Sequence, residues 1–193
     1  SIASEAFMPL SYGGGITCLS QIKELIYIGF EKVIINSSFI NNPSLIKEAV
    51  EFAGSQSIVI SIDVKNDIFG KMSCYSRSGT LKIPKSVIEL SIEAEKLGAG
   101  EILLTSINND GVMSGYDIEL VQLVSSVVNI PVIINGGAKD LCDFKQAIHV
   151  GGAHAVAASS MFIYYGERKA VLITYPTEEE LVKNKVYENY WEM

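Results

Sequence analysis

Tyr12-Gly13-Gly14-Gly15-Ile16 and Ile134-Asn135-Gly136-Gly137-Ala138 are two places where an apolar run breaks into consecutive glycines. Each is followed, 21 or 22 residues after its last glycine, by a second strand-like run that ends in a small polar pair, Asn36-Ser37 or Ser159-Ser160. The matched spacing reads as one β/α design used twice. A strand ending in glycines lets an oxyanion approach bare backbone N–H groups, and the neighbouring strand end adds further N–H and hydroxyl donors. Gly14, Gly15, Asn36 and Ser37 thus suggest one phosphate cradle, and Gly136, Gly137, Ser159 and Ser160 a second, so that the substrate would be phosphorylated at both ends. A side chain at Gly137 is expected to fill the space where the oxyanion meets the backbone. The plainer alternative is that these glycines only make tight strand-to-helix turns.

Around these two points the chain keeps a regular rhythm. Short β-branched runs at Met8–Tyr12, Lys32–Asn36, Ile58–Asp63, Glu101–Ser106, Pro131–Asn135 and His154–Ser159 alternate with amphipathic stretches near Cys18–Ile28, Pro43–Ala53, Pro84–Leu97, Tyr116–Val128 and Asp140–Val150. That alternation is the signature of βα units on a parallel sheet covered on both faces. Pro43 and Pro84 mark helix starts, and Gly29, Gly54, Gly98 and Gly151 mark ends. Between Asp63 and Pro84 the pattern predicts a hairpin, Phe69–Tyr75 with Thr80–Ile83, turned at Ser78-Gly79. About six such units are too few to close an eight-stranded barrel. Ser1–Phe7 reads as the end of a helix, so the expectation is a single (β/α)8 barrel domain over residues 1–193 whose first two units lie N-terminal to this sequence.

The 193 residues are 48% hydrophobic without a membrane-length apolar run, and the net charge of −7 argues against a nucleic-acid surface. Neither membrane nor nucleic acid is expected as a partner. Cys18, Cys74 and Cys142 are odd in number and lack metal-ligand spacing, which fits a reducing cytoplasm and simple packing roles for all three. No metal and no organic cofactor are expected.

Asp63 is the one acid closing an otherwise apolar strand, Ile58-Val59-Ile60-Ser61-Ile62-Asp63. In a partly apolar mouth its pKa would rise, suiting a general acid or base; a loop cap is the alternative. Lys65, two residues on, could pair with it or steer anions. Thr105, Ser106 and Asp110 could position substrate hydroxyls, although Asn109-Asp110-Gly111 is also ordinary turn chemistry. His149 falls in a helix and His154 opens a strand at the wrong end. Trp191 and its neighbouring tyrosines read as packing or partner contact.

Several runs resemble the cyclase subunit of imidazole glycerol phosphate synthase, HisF, from Met8 to Phe162. They are Gly13–Ile16, Lys32–Asn36, Asn42–Ile46, Gly54–Gln56, Ser61–Lys65, and above all Gly98–Ile107 with Asp110-Gly111 and Ser114–Asp117. The resemblance implies a (β/α)8 barrel that takes ammonia from a HisH-type glutaminase, in a heterodimer, and adds it to a phosphoribulosyl formimino carboxamide ribotide. The products would be imidazole glycerol phosphate and an aminoimidazole carboxamide ribotide, in histidine biosynthesis. It makes Asp63 one of two catalytic aspartates and assigns Gly14, Gly15, Asn36 and Ser37 to one phosphate, Gly136, Gly137, Ser159 and Ser160 to the other. Thr105, Ser106 and Asp110 become substrate-positioning residues. Ser78 joins the substrate- and phosphate-binding set, and Lys32 and Glu101 join a charged ammonia gate. The other catalytic aspartate belongs to the first strand of the family, so the chain as written is expected to be an incomplete cyclase. Asn108-Asn109 and Asn135 depart from the family pattern. The segment Lys169–Pro176 is more similar to a paralogous branch linked to amidation of surface-polysaccharide sugars, in which ammonia passes to a separate amidotransferase.

Overall fold

The computed structural model describes residues 8–166, 168 and 170–187. Six helices connect the parallel strands: β1 Ser11–Gly13, α1 Leu19–Ile28, β2 Lys32–Ile35, α2 Ser37–Asn41, α3 Ser44–Ala53, β3 Ile58–Asn66, then the hairpin β4 Met72–Ser76 and β5 Leu81–Ile83, and α4 Val87–Lys96 leading to β6 Glu101–Ser106. After β6 come α5 Ile118–Ser125, β7 Val132–Asn135, α6 Leu141–His149 and β8 Ala155–Ala157, followed by α7 Ser160–Ile163, a small hairpin of β9 Tyr164–Tyr165 with β10 Ala170–Val171, and α8 Glu178–Lys183. Strands run in the parallel order β1-β2-β3-β6-β7-β8. The sheet curls as part of a (β/α)8 barrel. No helix among the described residues is long and apolar enough to cross a membrane.

Period-two alternation sorts the side chains. Val33, Ile35, Ile60, Ile62, Ile102 and Leu104 are buried toward the helices, against Ile22, Leu45, Ile46, Leu90 and Leu120. The intervening positions look onto the concave face and fall into levels. Lys32 and Glu101 lie at the base, Ile34, Leu103 and Ile133 in the middle, and Asp63, Thr105 and Asn135 at the mouth.

Several elements differ from the sequence reading. β1 is Ser11–Gly13 rather than Met8–Tyr12, since Pro9 has no N–H to give to a ladder. β3 runs on past Asp63 to Asn66 because β4 pairs with it antiparallel, from Asp63↔Tyr75 to Asn66↔Met72. α4 begins at Val87, not Pro84: Ser86 caps it, its hydroxyl accepting from the Glu89 N–H at 3.2 Å while the Glu89 carboxylate accepts from the Ser86 N–H at 2.8 Å. The short α2, α7, the β9–β10 hairpin and α8 were not foreseen. Of the cysteines only Cys74 is buried; Cys18 and Cys142 are exposed near helix starts, so packing explains one of the three. The expected helix end at Ser1–Phe7 and Trp191 lie outside the described residues.

Candidate functional site at the strand C-terminal ends

The first glycine-rich end, Asn36-Ser37, Asp63 and the tip of the β4–β5 hairpin surround one cavity of about 610 Å³. Six predicted residues are thereby brought together: Gly14, Gly15, Asn36, Ser37, Asp63 and Ser78. A Cβ at Gly14 or Gly15 would meet nothing within 4 Å, so the backbone there is open to a ligand. Asn36 is already committed, its Nδ2 donating to the Ser61 carbonyl at 3.1 Å while its Oδ1 accepts from the Ser37 hydroxyl at 3.3 Å.

Asp63 stands half-buried on the concave side, and burial pushes its carboxyl above the ordinary range. The Ser61 hydroxyl, donating to Asp63 Oδ1 at 3.2 Å, offsets part of this, and the charge of Asp110 adds to the rise. Lys65 is exposed and makes no ion pair with Asp63, contrary to one expectation. The same corner buries the Cys74 thiol, whose pKa is pushed up to about 12, so it is not a nucleophile.

The second end is narrower. Asp110, Gly136, Gly137, Ser159 and Ser160 line a tight cleft, with Asn135 beside them. Asn135 Nδ2 donates to the Thr105 hydroxyl at 3.4 Å. Ser106, grouped with Thr105 in the sequence reading, turns the other way: its side chain is 2% exposed, packed toward the helices, and only its carbonyl reaches the loop, accepting from Asn109 and Asp110 N–H. The reason for glycine also differs from the one expected. At Gly137 a Cβ would lie 2.1 Å from the Gly115 carbonyl oxygen, and at Gly136 one would lie 2.6 Å from that of Ser106. These glycines admit the loop after β6, and a side chain would strike that loop before any oxyanion.

That loop is fastened at three points. The Asn108 side chain accepts from the Asn66 N–H at 2.8 Å and donates to the Asn66 carbonyl at 3.1 Å, copying one more rung of the β3–β6 ladder. Asn109 Nδ2 donates to the Gly115 carbonyl at 3.0 Å. Asn66 Nδ2 in turn donates to Asp117, which caps α5 by accepting from the Leu120 N–H at 3.0 Å. Asp110 is held between Asp63 and the second cleft in consequence.

At the opposite end of the strands Lys32 and Glu101 form a salt bridge. They stand on β2 and β6 with β3 between them, and the bridge crosses the concave face near Val59. With Glu31 and Ser11 they line a separate cavity of about 220 Å³. Arg77, at the hairpin tip, was missed. It lines the 610 Å³ cavity, and its only signal in the sequence was its place beside Ser78-Gly79.

A partial (β/α)8 barrel with two glycine-rich strand ends and an acid at its mouth defines the class of protein. Comparison with known proteins narrows it. The sequence profile described as "Histidine biosynthesis protein" matches residues 1–169. A Vibrio vulnificus protein provisionally named imidazole glycerol phosphate synthase subunit hisF3 is 42% identical over 183 residues, covering 94% of this chain and 70% of that protein. A Pseudomonas aeruginosa protein provisionally named subunit hisF2 is 41% identical, over 93% of this chain and 72% of its own. The imidazole glycerol phosphate synthase subunit HisF of Alkaliphilus metalliredigens is 43% identical, over 84% of this chain and 64% of its own. The chain belongs to the HisF family of imidazole glycerol phosphate synthase subunits.

Proposed function

We propose that the chain is a cyclase subunit that takes ammonia from a HisH-type glutaminase and adds it to a bis-phosphorylated formimino carboxamide ribotide, giving imidazole glycerol phosphate and aminoimidazole carboxamide ribotide. The observation that carries this reading is the shared mouth. Asp63 opens into the cavity of the first glycine-rich end, and Asp110, close enough to raise its pKa, lines the second. Gly14, Gly15 and Ser37 would hold one phosphate, with Asn36 orienting the Ser37 hydroxyl. Gly136, Gly137, Ser159 and Ser160 would hold the other through backbone and hydroxyl donors. Asp63, poised nearer neutrality by burial, would move protons as the imidazole ring closes. Lys32 and Glu101 would gate ammonia at the base, where the glutaminase docks around Glu31. No resident cofactor is needed for these roles.

The test is to supply the intact protein with an ammonium salt and the bis-phosphate. Formation of the imidazole product is expected, and its absence would sink the cyclase reading. A second reading is a non-cyclising subunit that passes ammonia on for sugar amidation. It is favoured by Asn108 and Asn109, whose amides are spent on backbone bonds where the family pattern has an acid and a base. Under that reading the glutaminase complex hydrolyses glutamine and releases ammonia while the bis-phosphate is left unchanged.

A further inference from the structure

The tip of the β4–β5 hairpin holds three consecutive residues in the left-handed region, Arg77 at φ 50°, Ser78 at φ 56° and Gly79 at φ 77°. Two of them are not glycine, and such backbone persists where surrounding contacts over-determine it, most often at ligand sites. Here the contacts are visible. The Arg77 carbonyl accepts from both the N–H and the hydroxyl of Thr80, at 3.3 and 2.7 Å, and the Arg77 N–H donates to the Ser37 hydroxyl at 3.3 Å across the cavity. Among the described residues no carboxylate lies within 4 Å of the Arg77 guanidinium. An uncommitted cation therefore stands on the wall of the cavity that Gly14 and Gly15 leave open.

Ser37 links the two. Its oxygen accepts from Arg77, and its proton points to the Asn36 amide oxygen, a neutral acceptor at 3.3 Å. A phosphate oxygen is the stronger acceptor, and a hydroxyl that turns its proton to it can still accept from Arg77. Bonds in such a chain polarise one another.

We infer that Arg77 and the Ser37 hydroxyl form a coupled anion clamp, in which phosphate at the first glycine-rich end and the β4–β5 hairpin hold each other in place. The guanidinium supplies charge-assisted bonds from the hairpin side, and the Arg77 N–H to Ser37 to phosphate chain supplies the coupling. By linkage, whatever the docked hairpin adds to phosphate affinity, bound phosphate adds to hairpin docking. The clamp rests on the reading of this strand end as a phosphate site.

Inorganic phosphate titrated into the intact protein, with amide exchange followed at Arg77, tests it. Arg77→Asn is the informative variant, because asparagine tolerates positive φ and keeps the N–H while losing the charge. Wild-type protein is expected to bind phosphate and slow exchange at the hairpin. Arg77→Asn should bind about tenfold more weakly or worse, the usual scale for a charge-assisted bond. Ser37→Ala should bind more weakly and lose the phosphate-induced protection. Equal affinity in Arg77→Asn, or hairpin exchange indifferent to phosphate, overturns the clamp and leaves the cradle standing. A wild-type protein that ignores millimolar phosphate overturns clamp and cradle together.

Discussion

Gly14 and Gly137 have nearly the same backbone angle, φ 114° and φ 113°, and each belongs to one of the two glycine-rich strand ends. Their surroundings are opposite. Around Gly14 an added Cβ would meet nothing within 4 Å, whereas at Gly137 it would sit 2.1 Å from a backbone carbonyl oxygen. The first end keeps its N–H groups open to a cavity of about 610 Å³, while the second has its glycines pressed against the loop that carries Asp110. The same letters serve access in one case and close packing in the other. Only the first can be judged a ligand cradle from its glycines alone; the second must be judged from Asp110, Ser159 and Ser160 around it.

The sharpest way to break this comparison is alanine at both positions. The similar φ makes the backbone strain similar, about 1–3 kcal/mol each, so the difference isolates the clash. Gly137→Ala is expected to cost about 2–3 kcal/mol more than Gly14→Ala, the scale of an overpacked site, read as a difference in denaturant midpoint. Gly14→Ala should instead lose phosphate affinity in a well-folded protein. Equal stability losses would mean that the loop gives way and that the two ends are alike after all.

Next in size is Asp63→Asn, which should cut ammonia-dependent turnover about a hundredfold while leaving the fold intact. Near-normal turnover would return Asp63 to the role of a loop cap. Its raised pKa also sets a sign for stability. The folded state holds the proton more tightly than the unfolded one, so the contribution is fully present below the ordinary carboxylate pKa and is lost as pH rises through the raised value. Asp63→Asn escapes that loss. Its melting temperature should therefore gain on the wild type between mildly acidic and neutral pH, and a gain that shrinks with pH would contradict the assignment of burial as the dominant cause.

Lys32→Ala, at the other end of the same strands, should act more gently and selectively. A salt bridge across the concave face is expensive to unpair, and Glu101 Oε2 already lacks a partner among the described residues. If the pair gates ammonia, glutamine-dependent activity of the glutaminase complex falls several-fold more than activity driven by added ammonium, a ratio on the order of ten marking a gate. Equal losses with both nitrogen sources would leave the pair structural.

How far the sequence could be read follows the range of the interactions. Lys32–Ile35 and Glu101–Ser106 were legible because strand alternation is local, and so was the Ser78-Gly79 turn. That Asp63 shares a cavity with Gly14, Gly15, Asn36 and Ser37 was legible because residues that end neighbouring parallel strands must share a mouth. The purpose of Gly137 was not, since it depends on Gly115, brought alongside by a loop whose course no local pattern dictates. The aim of Ser106 was hidden by treating Thr105-Ser106 as a unit, although period two sends adjacent side chains to opposite faces. Arg77 escaped because its position comes from three consecutive positive φ angles, which only glycine announces.

The smallest effect is expected at Asn108, and it bears on what separates the two strand ends. The Asn108 amide replaces a ladder rung between segments 42 residues apart, and the loop it fastens holds Asp110 against the second end and near Asp63. Asn108→Ala removes two exposed hydrogen bonds, so the stability cost should be only about 1 kcal/mol. The informative readout lies elsewhere. A loosened loop lets Asp110 move away, and the Asp63 carboxyl should then titrate lower, toward the ordinary range, as it should in Asp110→Asn. If Asn108 works through Asp110, adding Asn108→Ala to Asp110→Asn shifts Asp63 no further, which carboxyl-carbon NMR across the acid range would reveal. Additive shifts would show that Asn108 reaches Asp63 by another route, and an unmoved Asp63 in Asn108→Ala would show that the remaining contacts, Asn109 to Gly115 and Gly137 to Gly115, suffice to hold the loop.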